Sequence, residues 1–308
     1  MNVLSVNVRG LGPSGKASWI RRLKSDLGVS FIGLQETMSS NVNVGVVSNF
    51  WDGMGFDFEV AESSGNSGGL LSVWDPKFFT KESVVKDNNF LLVSGLLTDG
   101  KNRLNMINVY APQSNVDKRN LWAKISQVIQ AGHGWWIVFG DFNAVRDPSE
   151  RKNSCFDPGC ARDFNEFLDE AGLREYDLKG KKFTYLVNRR GVCKMSRIDR
   201  LFVCDNIFNK WPNACVRALN REFSDHAPLF LSLCDTNFGP KPFRWFDSWF
   251  DRKGCEEIVC LTLLGWINQG TADLNLIRKL KALRIKLSRW ITECRSKEIE
   301  FENSCKKD

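Results

Sequence analysis

Asn7, Glu36, Tyr110, Asp141, Asn143, Asp199, Asp225 and His226 stand in, at the end of or just before short apolar runs, where an apolar side chain would be easier to bury. Singly each has an ordinary reading: Asn7 as a turn former, Asp141 as a turn residue or cap, His226 as a surface histidine. Together they form a chemical inventory. A hard cation such as Mg²⁺ takes oxygen ligands and is often held by one or two carboxylates. Glu36, backed by Asn7 and Asp225, would supply them. Phosphoryl transfer needs donors around the phosphate oxygens, for which Tyr110, Asn143 and His226 are suited. It also needs a carboxylate to position the attacking water, a role for Asp141. Asp199 would hold His226 in its cationic form and in one orientation. The reaction that fits this set is metal-assisted phosphodiester hydrolysis.

For these groups to share one site, the chain must bring its strand ends to one edge of a layered fold. Short apolar runs between turn residues predict strands over 2–9, 31–35, 69–74, 90–97, 104–110, 135–140, 183–187, 198–203 and 229–233. Helical spacing falls at 18–27, 114–131 and 160–171; Asp163 and Asn165 read as the capped start of the third helix and Gly172 as its stop. Strands with helices between them predict a four-layer α/β sandwich over residues 1–235: two packed, mostly antiparallel sheets flanked by helices.

Composition sets the outer bounds. With 43% hydrophobic and 26% charged residues, the 308-residue chain is neither fibrous, collagen-like nor wholly disordered. A net charge of +7 permits a polyanionic partner without requiring one. No apolar run approaches the ~18 residues of a membrane span, and MNVLSVNVRGLG lacks the basic lead and apolar stretch of a signal peptide. Ten cysteines without a CxxC, beside only two histidines, argue against structural zinc and for reduced thiols packed mostly in the core. The expected compartment is nuclear or cytoplasmic, not secreted.

After Cys234 the composition changes. Residues 236–252 read as an aromatic and proline-rich connector that docks on something, and 253–308 as a helical tail. Leu276, Leu280, Leu283, Leu287, Trp290 and Cys294 recur at steps of four and three, one apolar stripe on a helix of roughly six turns. That stripe, spanning 274–294, either packs on its own domain or receives a partner helix or downstream domain.

The ordered words NVRG, QET, NSGG, NVYAP, GDFN, SRIDR and SDHAP resemble the endonuclease/exonuclease/phosphatase superfamily across about residues 1–234. The resemblance implies the four-layer α/β sandwich and a site for Mg²⁺, with Mn²⁺ substituting. It implies Glu36 as the metal-binding glutamate with Asn7 and Asp225 as supporting ligands, Asp141 as the residue that activates water, and Asn143 as the one that orients water and phosphate. Tyr110 matches the phosphate-contacting tyrosine, and His226, oriented by Asp199, the histidine on the phosphoryl oxygen. AESSGNSGGLLSVW, GDFNAVRDPSERKN, KKFTYLVNRRGVCKMSRIDRLF and the flank GPKPFRWFDSWFDRKGCEEIV are similar to the endonuclease of plant LINE-type (non-LTR) retrotransposons. That finer resemblance implies DNA as partner, one strand nicked to leave a 3′-hydroxyl, and a tail leading toward reverse transcriptase. The chain reaches Asp308 without a YxDD-like motif, the expectation being a retroelement-derived fragment or truncated reading frame.

Two departures stand out. Repair-type apurinic endonucleases of the superfamily carry an acid two positions after the first asparagine, where this chain has Arg9. The subgroup's usual lysine after QET and tryptophan after FT are here Met38 and Tyr185. For DNA phosphates, which supply sequence-independent affinity, one candidate strip is Arg189, Arg190, Lys194, Arg197 and Arg200 on a predicted hairpin. Another is Arg146, Arg151 and Lys152 after GDFN; solvated loop charges are the ordinary alternative. Two other functions fit the same residues: a phosphodiesterase for inositol phosphates or lipids, and a catalytically silent nucleic-acid-binding remnant.

Overall fold

The strands in the middle of the sheets are buried along nearly their whole length, the pattern of sheets covered on both sides. The computed structural model describes residues 1–12, 14–51, 55–63, 68–189, 191–233, 247–268 and 270–305. The chain runs β1 (Asn2–Asn7), α1 (Ser14–Leu27), β2 (Phe31–Gln35), α2 (Val44–Ser48), β3 (Asp57–Ala61) and β4 (Leu70–Trp74). Then follow β5 (Phe79–Lys86), β6 (Phe90–Leu97), β7 (Arg103–Tyr110), α3 (Asn115–Ala131), β8 (Trp135–Asp141), β9 (Arg151–Lys152) and α4 (Pro158–Glu170). After them come β10 (Leu173–Glu175), β11 (Leu178–Gly180), β12 (Tyr185–Arg189), β13 (Val192–Ser196), β14 (Asp199–Cys204), α5 (Asp205–Lys210), β15 (Cys215–Ala218) and β16 (Leu229–Ser232).

Seven strands form one sheet in the order β11-β15-β16-β1-β2-β4-β3, and six form another in the order β10-β14-β8-β7-β6-β5. β12, β13 and β9 make a small third sheet. β1 and β2, β7 and β8, and β11 and β15 pair in parallel; the other described pairings are antiparallel. The architecture is the expected sandwich of two mixed sheets flanked by helices.

Period-two alternation builds the layers. In β8, Ile137 and Phe139 face the core between the sheets, where they meet Phe31, Trp74, Met106 and Leu201. Trp136 and Val138 face the other way, under Trp122 and Ile125 of α3 and Phe164 and Phe167 of α4. In β1, Val3 faces the inter-sheet core, while Leu4 and Val6 pack under Trp19 and Ile20 of α1. Gly33 permits the sheets to close: a Cβ there would fall 2.1 Å from the Phe139 ring. Truncating Phe139 would cost about 3–5 kcal/mol in transfer and cavity terms. A hydrogen-bonded seam also crosses the layers, since Gln35 Nε2 donates to Asn108 Oδ1 at 2.6 Å and to Ser5 Oγ at 3.2 Å.

The third predicted helix starts elsewhere than Asp163 and Asn165. Asp157 caps α4, accepting from the Cys160 N–H at 3.0 Å, and Pro158 opens its first turn. Asp163 and Asn165 pair instead with Arg119 and Arg146. Of the described cysteines only Cys255 is buried; Cys155 and Cys260 are exposed, which corrects their reading as mostly core residues. No helix among the described residues is long and apolar enough to cross a membrane.

The chain divides into two compact units, Met1–Thr236 and Asn237–Asp308. Most of the predicted 236–252 connector, residues 236–246, lies outside the described residues. Within the second unit, α6 (Cys255–Leu264) and α7 (Ala272–Cys305) pack around Trp249, Cys255, Leu287 and Ile291. At 34 residues α7 is longer than the six-turn helix read from its stripe. The stripe divides: Leu283, Leu287, Trp290 and Cys294 join that cluster, whereas Leu276 and Leu280 are exposed.

Candidate active site

The residues that face the inter-sheet core become polar where the strands end. In β1 the inward row runs Val3, Ser5, Asn7; in β7 it runs Met106, Asn108, Tyr110; in β8, Ile137, Phe139, Asp141; in β14, Val203, Leu201, Asp199. Register then sets the neighbours: Tyr110 lies opposite Asp141, and Asp141 opposite Asp199. Sheet pairing, not loop folding, aligns Tyr110, Asp141 and Asp199 in one cross-strand row. Gly140 permits the approach, since its φ of +136° suits glycine and a Cβ would sit 2.0 Å from the Val109 carbonyl oxygen.

His226 arrives on the segment before β16. The Ala227 N–H donates to the Thr184 carbonyl at 2.6 Å and the Leu186 N–H to the Asp225 carbonyl at 3.1 Å, joining this segment to β12. His226 Nδ1 then lies 2.9 and 3.0 Å from the two Asp199 carboxylate oxygens, and its Nε2 lies 4.0 Å from Asp141 Oδ2. The Tyr185 ring covers the imidazole at 4.8 Å between centroids, tilted 45°. Thr184 Oγ1 accepts from the N–H groups of Ile198 (3.2 Å) and Asp199 (3.0 Å), fixing the acid that orients the histidine.

Asp141 is itself held from both sides. Asn7 Nδ2 donates to its Oδ2 at 3.0 Å and the Asn143 N–H to its Oδ1 at 2.9 Å. Asn143 is set in turn by Gln113, which donates to its Oδ1 at 2.9 Å, and by the Ala111 carbonyl, which accepts from its Nδ2 at 2.8 Å. Burial, then the neighbouring Asp199 charge, push the Asp141 carboxyl above the usual carboxylate range. Burial would lower the His226 pKa, but the Asp199 charge and hydrogen bond, with Asp141 and Asp225 behind them, raise it. The pair is therefore a proton acceptor of raised affinity beside an imidazolium.

The second half of the cleft is acidic and strained. Tyr110 Oη donates to Glu36 Oε1, and burial followed by that carboxylate raises the phenol pKa. Glu36, Asn143 and Arg9 have φ of 52°, 47° and 51°, the left-handed region that non-glycine residues adopt at a cost of about 1–3 kcal/mol each. Lys16 ties the loop after β1 down, donating to the carbonyls of Val8, Arg9 (2.9 Å) and Gly10 (2.8 Å). Burial lowers the Lys16 pKa against the pull of Asp225 and Glu36. Arg9 pairs with Asp225 Oδ2, while Asp225 Oδ1 is buried without a hydrogen-bond partner. Arg9, Glu36, Asp141, Asn143, Asp225 and His226 line one cleft of about 380 Å³, with Arg151 and Tyr185 on its wall.

Two sets of groups in this region invite a cation. One ligand atom each from Asp141, Asp199 and His226 lies within 4.8 Å of the others, although His226 Nδ1 already binds Asp199. The carboxylates of Glu36 and Asp225 on the cleft suit a hard dication better, one of them with a buried oxygen, Asp225 Oδ1, that lacks a hydrogen-bond partner. Asn7, expected beside them, bonds Asp141 through Nδ2 and accepts the Arg9 N–H through Oδ1.

Not every residue singled out in the sequence reaches the cleft. Gln35, the residue before Glu36 in QET, lies in the inter-sheet seam. Arg197 and Arg146, expected to face phosphate, are engaged by carboxylates. Arg197 donates to Glu175 at 2.6 Å, and Arg146 hydrogen-bonds Asn165 and lies 3.5 Å from Glu175. Arg200, fully buried, pairs with Glu150 and Glu175. Lys194 is exposed on β13 opposite Val187. The Arg189 backbone pairs with Val192, and Arg190 lies outside the described residues. Lys16, Gln113, Thr184, Glu150 and Glu175 are the residues that sequence reasoning missed. Gln113, Thr184 and Glu150 stand inside or beside the quoted words NVYAP, KKFT and GDFNAVRDPSERKN, and that proximity was their available signal.

The pattern of the Endonuclease/Exonuclease/phosphatase family matches residues 4–226, and the chain belongs to that family. Among its relatives is the Transposon TX1 uncharacterized 149 kDa protein of Xenopus laevis, 25% identical over 170 residues. That stretch covers 53% of this chain and 13% of the relative, so the chain spans a small part of the curated protein it matches. The fold is similar to the endonuclease domain of TRAS1, a telomere-specific non-LTR retrotransposon, with a TM-score of 0.57 at 16% identity over 75% of this chain and 97% of that one. It is also similar to the AP endonuclease LMAP from Leishmania major, with a TM-score of 0.58 at 15% identity over 75% of this chain and 86% of that one.

Proposed function

We propose that the chain is a divalent-cation-dependent DNA endonuclease of retroelement origin that nicks one strand and leaves a 3′-hydroxyl. The observation that carries this reading is the junction of two half-sites in one cleft, the Asp141–His226–Asp199 cluster and the Glu36–Asp225 pair with its unpartnered oxygen. Glu36 and Asp225, with Asn7, would hold Mg²⁺ or Mn²⁺, which when bound supplies Lewis-acid stabilisation of charge on the phosphate and the leaving oxygen. The remaining chemistry belongs to the chain. Asp141, raised in pKa and gripped by Asn7 and Asn143, accepts a proton from the attacking water. His226, held cationic by Asp199, donates through Nε2 to a phosphoryl oxygen where negative charge accumulates. Tyr110 orients Glu36, and Tyr185 keeps water from the outer face of the imidazole.

DNA as substrate is supported by the basic residues around the cleft and by what the relatives are. Arg151 lines the cleft with its Nε buried and without a hydrogen-bond partner, and Lys152 and Lys194 are exposed on the adjoining small sheet. These, with Arg189 and Arg190 as the sequence nominates them, are the proposed phosphate contacts. A transposon protein and a retrotransposon endonuclease domain among the relatives favour a retroelement source, and nuclear action follows from that target. On this reading residues 1–235 are the nuclease, 236–252 a connector, and 253–308 a helical link toward a reverse-transcriptase region reached through the 274–294 stripe.

The test is nicking of supercoiled plasmid with Mg²⁺, with and without chelator, using Asp141→Ala as control. Relaxation that needs metal and disappears in the variant supports the reading. A folded protein that binds Mn²⁺ but leaves DNA intact would redirect it to another phosphodiester.

A further inference from the structure

Arg9 is a cation whose surroundings are built with more care than a surface ion pair requires. Its side chain is 57% exposed, and pairs of that kind contribute about 0–1 kcal/mol. Its backbone is nonetheless held at φ 51°, against the conformational preference of a long side chain. Lys16 clamps the carbonyls on both sides of it, the Gly10 N–H donates to the Glu36 carbonyl at 2.6 Å, and its own N–H donates to Asn7 Oδ1 at 3.2 Å. Strain and anchoring at that level aim a side chain; fold stability does not call for them.

The place it is aimed at is Asp225. Arg9 satisfies Oδ2 and leaves Oδ1 buried and unpartnered, so the carboxylate is half neutralised. With Glu36, Asp141 and Asp225 on the same cleft, the guanidinium offsets like-charge repulsion in the protein alone. A dication held by Glu36 and Asp225 would repel that guanidinium and compete with it for the same oxygens. Arg9, tethered by its pinned backbone, would stay in the cleft, and its planar fork matches two oxygens of a phosphate.

Resting on the nuclease reading above, we propose that Arg9 is a phosphate-binding residue kept on Asp225 until a divalent cation claims that carboxylate. Arg9 thus couples cation binding to substrate binding: it weakens the first in the free protein and serves the second once displaced.

Mn²⁺ titration calorimetry on the full chain tests the competition. Arg9→Ala binds Mn²⁺ about tenfold more tightly than the parent, Arg9→Lys falls between them, and Asp225→Asn binds more weakly than either. The phosphate role is read from DNA affinity against salt in an Asp141→Ala background, where no cutting intervenes. With saturating Mn²⁺, adding Arg9→Ala lowers the slope by about 0.9, one phosphate contact fewer; with chelator the slope is unchanged. Unchanged or weaker Mn²⁺ binding in Arg9→Ala overturns the proposal, as does an equal loss of slope with and without cation. Failure of the nuclease reading looks different: the parent leaves plasmid intact while Arg9→Ala still tightens Mn²⁺ binding.

Discussion

Asp199 and Arg200 are neighbours on β14 whose side chains point to opposite faces, and each belongs to a buried charge cluster of its own. The Arg200 cluster is matched. Arg200 and Arg197 meet Glu150 and Glu175, and Arg146 donates its backbone N–H to Glu150 at 2.7 Å. The Asp199 cluster is not matched: the four acids Asp141, Asp199, Asp225 and Glu36 stand against His226, Arg9 and the nearby Lys16, and one carboxylate oxygen is left over. A buried cluster whose charges cancel fixes geometry, whereas one with an acidic excess is poised for a cation.

The largest expected effect lies on the unmatched side. Asp141→Asn keeps the shape of the side chain but cannot accept the proton from water, so nicking should fall on the order of 10²–10⁴-fold in a plasmid assay, with a melting temperature close to the parent's. Undiminished nicking would break the assignment of roles. Next comes the matched side, where stability and activity should separate in the opposite sense. Arg200→Met leaves Glu150 and Glu175 buried without their main cation and should cost about 3–5 kcal/mol in urea unfolding. Nicking per folded molecule, measured well below the melting temperature, should change only severalfold. If that variant lost catalysis without losing stability, the two clusters would have to be redrawn as one.

Legibility in the sequence followed the same division. The cleft was readable because its polar residues interrupt apolar rows: Asp141 after WWIVFG and Asp199 before RLFV stand out against the period-two pattern. The long inner strands were readable for the same reason, and β2 and β6 coincide with the predicted spans. β5 was not, because as a sheet edge it exposes most of FTKESVVK and loses the apolar signal. β9, β10 and β11 are two or three residues long and carry no period at all. The matched cluster was invisible for a deeper reason. Arginines and glutamates read as solvated surface, and only pairing across β10, β14 and the loop after β8 turns Arg200 into one of the largest fully buried side chains. Arg197 and Arg146 were assigned to phosphate on that surface reading.

Thr184 anchors the backbone of Asp199 and gives a smaller test. Thr184→Val keeps volume but removes the oxygen that accepts from Ile198 and Asp199, leaving buried N–H groups without a partner. Each such group costs about 1–3 kcal/mol. Because the loss falls at the backbone of Asp199, both stability and nicking should decline together, unlike either variant above. A stability loss with full activity would mean that the Asp199–His226 contact is set by Tyr185 packing alone.

The smallest expected effect is confined to acid and sharpens the matched side. Burial would raise the Glu150 pKa, but the Arg200 charge and hydrogen bond, the Arg146 N–H and the Arg197 charge lower it below the ordinary carboxylate value. A carboxylate with a depressed folded pKa contributes stability that is present above its unfolded value, about 4.3, and lost as pH falls through the folded one. Glu150→Gln cannot titrate. The stability gap between parent and variant, measured by urea unfolding at a series of pH values, should be widest near neutrality and should narrow below about pH 4. A gap that stays constant with pH would show that Glu150 acts through its hydrogen bonds alone and that the ion pairs with Arg200 and Arg197 add no pH-dependent stability.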